Sequence, residues 1–586
     1  MAGVLDILCA WHPLLWAVPM LSAMGMAAFG SRLSRRGLSW LGLLPLAWVL
    51  LQAAGAAVHL LWLAPDSSRA AIDVNWMTWP LFRIGLGLDR TGIWGVLLTG
   101  AATLAAQVHA LYSVSRLSGR HRFYALVLMV TASASLFYTS TSRLPLLIGW
   151  EGLALSIAFM AGFWESEQRG ERVGMRWLLF QRMSSLLLVA GFLAFEFDPD
   201  LGLGLVVAAA AVRAGLFPFH GWLVDCAEAP ATARALIMGT GSTLAAVFLL
   251  VRFEAQILYS PFVPQVIGIV CVVTIAMGLL SGLQHHEPFK KLGWLFTAQG
   301  GLVMLGFAMG DTVASMLLAT GQQLVLTGVT LASGTLVDRE AAEAGTRWRS
   351  KRVYWVLAWM WLLPPSVGFV GLGRLLGSVS DSTLGIISLV AIFLAAGLGA
   401  WILQQIARDL KDHPTELAGR IRPPDTVWLD VPPAGLAALT VALGVLAVAL
   451  HGMQVIGGWG GVEWAGGVAA TAIAGGLLGW LVGRGRVAFR VSRLTRAQRI
   501  MDWLADTGLG LGELVVQLPV FLVRLLGVVL WRVVGDGLID TVLLGTAVRT
   551  TEGIGIALRF LQNGRVQRYG LLAVLTCLVV VLIMTR

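Results

Sequence analysis

Apolar residues come in long runs along this chain, separated by short polar stretches. A membrane-spanning helix needs about 20 consecutive apolar residues. Runs of that length fall near 8–28, 40–64, 90–112, 122–139, 144–164, 174–196, 200–219, 234–254, 264–283, 290–309, 312–336, 353–376, 383–405, 433–452, 465–483 and 568–584. They predict an all-α fold, a polytopic membrane helix bundle of about 16 spans. Gly215-Leu216-Phe217-Pro218 breaks the seventh span and Leu363-Pro364-Pro365 the twelfth. Proline lacks an amide donor and frees a carbonyl that lipid cannot satisfy, so both breaks are expected to face protein or a wet cavity. Paired discontinuous helices point to an ion or substrate pathway, and an ordinary proline kink is the alternative. Before the last span, Leu514 to Val534 is apolar but holds Arg524 and Arg532. It predicts either a further span or a helix lying along the membrane or along neighbouring proteins.

Composition agrees. Of 586 residues, 57% are hydrophobic and only 13% charged, about half the charged share of a soluble protein. The 69 glycines suit close helix packing, and many of the 24 tryptophans sit near the ends of apolar runs. The net charge of +10 reflects bases in short loops, a pattern of orientation rather than nucleic-acid binding. Arg32, Arg35 and Arg36 follow span 1; Arg116, Arg120 and Arg122 follow span 3; Arg169, Arg172 and Arg176 follow span 5. Segments 347–352 and 408–422 follow spans 11 and 13, and Arg484, Arg486, Arg490 and Arg493 follow span 15. Loops after even spans are poor in bases, and Asp198-Pro199-Asp200 is acidic. Odd spans are therefore expected to exit to the cytoplasm, with both termini outside a bacterial inner membrane. The first run lacks a preceding basic region and a clear cleavage site, so it reads as the first membrane helix.

Cys9, Cys226, Cys271 and Cys577 are scattered, which argues against a zinc or iron–sulfur site. The run Gly508-Leu509-Gly510-Leu511-Gly512 lacks nucleotide-binding spacing. Ionisable residues inside apolar runs carry the most information, because charge in lipid is costly. Glu151 lies in span 5, Arg182 in span 6 and Arg213 deep in span 7, just before the break. Glu151 and Arg213 are expected to face each other in a buried polar core. His220 and Asp225 follow the break, Lys290 and Lys291 open span 10, and Gln322 and Gln323 sit in span 11. For the two lysines, snorkelling at a helix end is the competing reading.

Leu147-Ile148-Gly149-Trp150-Glu151-Gly152 resembles the Gly-Trp-Glu segment of antiporter-like subunits of respiratory complex I. Pro218-Phe219-His220-Gly221-Trp222-Leu223, with Asp225, Pro230 and Ala235-Leu236-Ile237, is similar to that family's broken-helix segment. Ala332-Ser333-Gly334 resembles the end of its eleventh helix. Asp536-Gly537-Leu538-Ile539-Asp540, then Gln562-Asn563-Gly564 and Tyr569, looks like the tail of its L subunit, where a lateral helix precedes the final span. The resemblance divides the chain into N-terminal membrane helices (1–88), an antiporter-like core (89–377), C-terminal membrane helices (378–486), an amphipathic or lateral segment (487–567) and a final helix (568–586).

That resemblance implies proton movement along a row of charges, from which this sequence departs. Glu151 and the adjoining Arg182 match. Arg213 stands where the Glu-paired lysine is expected, Ser185 replaces an aspartate, and Met238 stands for a histidine. The polar residues of the eleventh helix fall on Gln322 and Leu326, and the Lys-Asp of the twelfth on Leu372-Gly373. Arginine stays protonated where a desolvated lysine would release its proton. The expected function is a membrane-arm, L-type subunit of a complex I-like proton-translocating assembly, with pumping reduced or lost. The alternatives are a membrane subunit of an inorganic-carbon uptake complex and a cation/proton antiporter subunit. The resemblance implies partners among other membrane-arm subunits and the bilayer, with no nucleic acid. It implies no cofactor on this chain, so quinone, NADH and iron–sulfur clusters would belong to partners.

Overall fold

A computed structural model describes residues 11–60, 71–75, 83–114, 119–163, 168–227, 229–338, 344–379, 383–412, 427–452, 462–483, 511–530, 532, 545–561 and 566–584. Cys9, most of the Gly508–Gly512 run and the tail motifs Asp536–Asp540 and Gln562–Gly564 lie outside the described residues. So do Arg116 and Arg484 to Arg493 of the basic loops.

The helices are α1 (Leu14–Phe29), α2 (Arg35–Val58), α3 (Arg90–Ser113), α4 (Arg120–Tyr138), α5 (Arg143–Ala161), α6 (Gln168–Ala194) and α7 (Pro199–Ala214). A short α8 (Gly221–Cys226) precedes α9 (Ala231–Met238) and α10 (Leu244–Val251), which are joined by a π-helical segment, Gly239–Thr243. Then come α11 (Glu254–Tyr259), α12 (Val263–Gln284), α13 (Pro288–Ala308), α14 (Thr312–Asp338), α15 (Ala344–Trp359), α16 (Val367–Gly377), α17 (Thr383–Asp412), α18 (Val431–Gly452) and α19 (Val462–Gly483). The chain up to Val515 forms one compact unit; Val516–Arg586 forms a second, which contains most of α20 (Leu511–Leu530), then α21 (Gly545–Leu561) and α22 (Val566–Met584).

Where they are described, all sixteen apolar runs coincide largely with helices or helix pairs, and ten helices among the described residues are long and apolar enough to cross a membrane. Side chains of the second unit's helices are largely exposed and apolar, among them Leu526, Ile554 and Leu571.

The all-α expectation needs one amendment. Between α2 and α3, β1 (Ala71–Asn75) pairs antiparallel with β2 (Arg83–Gly87), Asp73 opposite Gly85. Ile72 and Val74 alternate with polar neighbours, a period of two that the search for long apolar runs passes over. The Gly87 amide donates to the Thr139 carbonyl (2.8 Å) and the Thr141 amide to the Gly85 carbonyl (2.9 Å), which docks the hairpin on the α4–α5 turn.

Helix ends follow local chemistry. The Asp89 carboxylate accepts from the Gly92 amide (2.6 Å) and caps α3, and Ser366 Oγ accepts from the Phe369 amide (3.1 Å) and caps α16. Gly215 ends α7 in the left-handed region (φ 67°), and the Leu216 amide donates to the Ala211 carbonyl (2.9 Å), closing the last turn. In the middle of the first unit, α14 and the interrupted α9–α10 element are almost wholly enclosed by other helices. α14 touches α3, α9, α13, α15, α16 and α18.

Candidate functional site

Both breaks expected from proline are present. α7 stops at Ala214 and the chain resumes as α8 at Gly221; α15 stops at Trp359 and α16 begins at Val367. A third break lies in the eighth span, at Gly239–Thr243. It contains no proline. A Cβ on Gly239 would lie 2.5 Å from Gln323 Oε1 and 2.8 Å from Thr327 Oγ1, so the absence of a side chain lets the π segment lie against α14.

The charged groups near the first break are arranged in two layers. In the outer layer Glu151 of α5 forms an ion pair with Arg182 of α6; their side chains are 28% and 37% exposed on the surface of this chain. In the inner layer, one residue back on each helix, stand Trp150 and Gln181, with Arg213 of α7 between them. Arg213 is fully buried. It donates to Gln181 Oε1 (2.8 Å) and to the Trp150 carbonyl (3.0 Å), and its guanidinium lies 4.0 Å from the centre of the Trp150 ring. The expected Glu151–Arg213 pairing is therefore corrected: the carboxylate goes to Arg182 and Arg213 takes neutral partners. The physical reason is helix rotation, since adjacent residues on an α-helix point about 100° apart.

The remaining candidates divide. His220 is buried beside Phe217 and Trp294, with ring centroids 6.1 and 5.2 Å away. Asp225 pairs with Arg176 of α6. Lys290 is 3.2 Å from Glu287, one helical turn away at the surface. Lys291 is almost completely buried and pairs with Asp409 of α17. Snorkelling thus describes Lys290 and not Lys291.

The positions that the resemblance set against a proton row hold packing residues. Met238, Leu326 and Leu372 are fully buried apolar side chains, and Gly373 lies buried beside Leu372 on α16. Gln322 donates to Thr243 Oγ1 (3.3 Å) and Gln323 to Thr240 Oγ1 (2.8 Å), so the two amides tie α14 to the π segment.

Sequence reasoning missed three groups. His109 of α3 is buried with Nδ1 3.1 Å from Thr232 Oγ1 and Nε2 3.2 Å from Thr335 Oγ1, joining α3, α9 and α14. Thr335 Oγ also lies 3.1 Å from the Leu331 carbonyl; a hydroxyl spending its one proton there accepts from His109, leaving Nδ1 to accept from Thr232. Arg234 is buried, donates to the Ala227 carbonyl (2.7 Å) and lies over Phe289. Arg374, one residue past Leu372-Gly373, has Nε 2.8 Å from both carboxylate oxygens of Asp311. Arg374 and Asp409 are visible as charges at helix ends, but only the fold reveals their partners.

Interrupted helices around buried charges are an arrangement that ion-transporting bundles use. Residues 196–398 match the family described as NADH:quinone oxidoreductase/Mrp antiporter, TM. The NADH-ubiquinone oxidoreductase chain 5 of Cryptococcus neoformans is 28% identical over 236 residues, covering 35% of this chain and 35% of that protein. The chloroplastic NAD(P)H-quinone oxidoreductase subunit 5 of Gossypium barbadense is 23% identical over 291 residues, covering 45% of this chain and 39% of that protein. The chain thus spans less than half the length of these curated relatives. Among solved structures, a chain of the Mrp complex from Dietzia sp. shares the fold with a TM-score of 0.60 at 20% identity, covering 80% of this chain and 99% of that one. A chain of respiratory complex I from Thermus thermophilus with bound aureothin gives 0.56 at 20%, covering 74% and 98%. Residues 196–398 are thus similar to this antiporter family, and the chain shares the fold of chains in the Mrp complex and in respiratory complex I.

Proposed function

We propose that this chain works in the membrane arm of a complex I-like assembly in a bacterial inner membrane, with the basic loops in the cytoplasm, and carries at most half of a proton path. One observation carries the reading. The outer Glu151–Arg182 pair is present, but the next charge, Arg213, is a buried guanidinium on neutral partners. A relay needs groups that both bind and release a proton, and arginine does not release one in the accessible pH range. Beyond it, Leu326, Leu372 and Gly373 hold no proton. The titratable groups His220, Asp225, Lys290 and Lys291 cluster near the first break and could load protons from the basic-loop end. An outward exit through α16 has no carrier on that helix, because its one charge, Arg374, is an arginine, which does not release a proton, and it is paired with Asp311.

The cation/proton antiporter alternative draws support from the fold shared with a chain of the Mrp complex. Affinity purification of the chain in mild detergent separates the readings. Membrane-arm partners together with iron–sulfur subunits support the proposal. Partners confined to Mrp-type membrane subunits favour the antiporter. A soluble zinc protein would favour inorganic-carbon uptake and overturn both.

A further inference from the structure

The inner layer at Arg213 has a charge imbalance. The three charged groups here are one carboxylate, Glu151, and two guanidiniums, Arg182 and Arg213. Arg182 lies within electrostatic reach of Arg213, and the only carboxylate of the set is engaged by Arg182. One positive charge is left over in the interior of the helix bundle, on the side chain that is completely buried.

Hydrogen-bond donors are left over at the same place. Arg213 Nε, Gln181 Nε2 and Trp150 Nε1 are buried and have no partner among the described residues. These three atoms belong to side chains in direct mutual contact: Gln181 holds Arg213 through its other amide atom, and the Trp150 ring lies against the guanidinium. A buried donor without an acceptor is unfavourable. The two acceptors that hold the guanidinium, Gln181 Oε1 and the Trp150 carbonyl, already accept from it. A water molecule could accept from one or two of these donors, but it would leave the charge uncompensated. A small anion accepts from several donors and cancels the charge at the same time.

We propose that Arg213, Gln181 and Trp150 form a binding site for one small monovalent anion, chloride or bicarbonate, in the bundle interior. The site is independent of proton translocation, because it needs only the buried cation and the unfilled donors. It explains how Arg213 is tolerated on the neutral partners Gln181 and Trp150. The pattern is local: Arg374, Arg252 and Arg143 each have a carboxylate, in Asp311, Asp89 and Glu196.

The test uses the full-length chain in nanodiscs, with thermal unfolding followed in sodium gluconate, sodium chloride and sodium bicarbonate at equal ionic strength. Chloride or bicarbonate at about 100 mM should raise Tm by about 2 °C or more over gluconate, as expected for an anion that binds only the folded state. The anion with the larger shift at equal concentration is the preferred one. Gln181→Glu places a carboxylate against Arg213, so it should abolish the anion dependence and be no less stable in gluconate than wild type is in chloride. Arg213→Gln should abolish the dependence by removing the cation, and it serves as the second variant where Gln181→Glu fails to fold. Equal Tm in all three salts for the wild type would overturn the site, as would an anion dependence that persists unchanged in either variant.

Discussion

The two proline breaks share a geometry and differ in chemistry. At the seventh span, α7 ends on a left-handed glycine, and Arg213, His220 and Asp225 crowd around the gap. At the twelfth, the chain passes from Trp359 to Val367, and the half-helix that follows presents Leu372 and Gly373 to the interior. Its one charge, Arg374, is bonded to Asp311, which also caps α14 by accepting from the Ala314 amide (2.9 Å). The break is therefore a property of the scaffold that persists without proton-carrying residues. What distinguishes a path from a kink is the set of side chains lining it: a histidine and an aspartate, His220 and Asp225, at the first break, and a closed Arg374–Asp311 pair at the second.

The comparison can be sharpened by substitutions, the largest effect expected at Arg213. Arg213→Ala removes a buried side chain, leaves Gln181 Oε1 and the Trp150 carbonyl unpaired and opens a cavity, so a loss of about 3–5 kcal/mol is expected in reversible unfolding. Arg374→Gln at the second break exposes Asp311 as an uncompensated, mostly buried carboxylate and should cost about 2–3 kcal/mol. Proton translocation by the assembly should be unaltered by that change; a fall in translocation without loss of assembly would show that α16 carries an exit after all. Gly215→Ala should cost about 1–2 kcal/mol, because φ of 67° is unfavourable for alanine and the new Cβ would lie 3.0 Å from Leu223. Lys291→Met should cost least, about 1 kcal/mol, because Asp409 is 34% exposed and regains solvation when its partner is lost.

Much of this was legible from residue order. Runs of apolar residues locate the helices because lipid leaves the backbone no other partner, and proline marks two of the three breaks. The third was not legible: Gly239-Thr240-Gly241-Ser242-Thr243 contains no breaker, and its π geometry depends on how closely α14 approaches. Site residues were recognisable by the cost of charge in a membrane, while their pairing was not. Glu151 and Trp150 are neighbours in sequence but point into different layers, so choosing between Arg182 and Arg213 required the rotation of three helices. Lys291 looked like a helix-end lysine until α17 supplied Asp409, which lies 118 residues away. The β-hairpin was missed because its strands are five residues each, far below the length of a span.

The central claim is that Arg213 interrupts proton movement through this chain while Glu151 still forms an ion pair. It is tested most directly by the proton-to-electron ratio of the reconstituted assembly, driven by its electron donor, with wild type set against Glu151→Gln. The same ratio is expected for both, with the assembly intact. A clear fall in Glu151→Gln would contradict it, because a relay through Glu151 would then be operating in spite of Arg213.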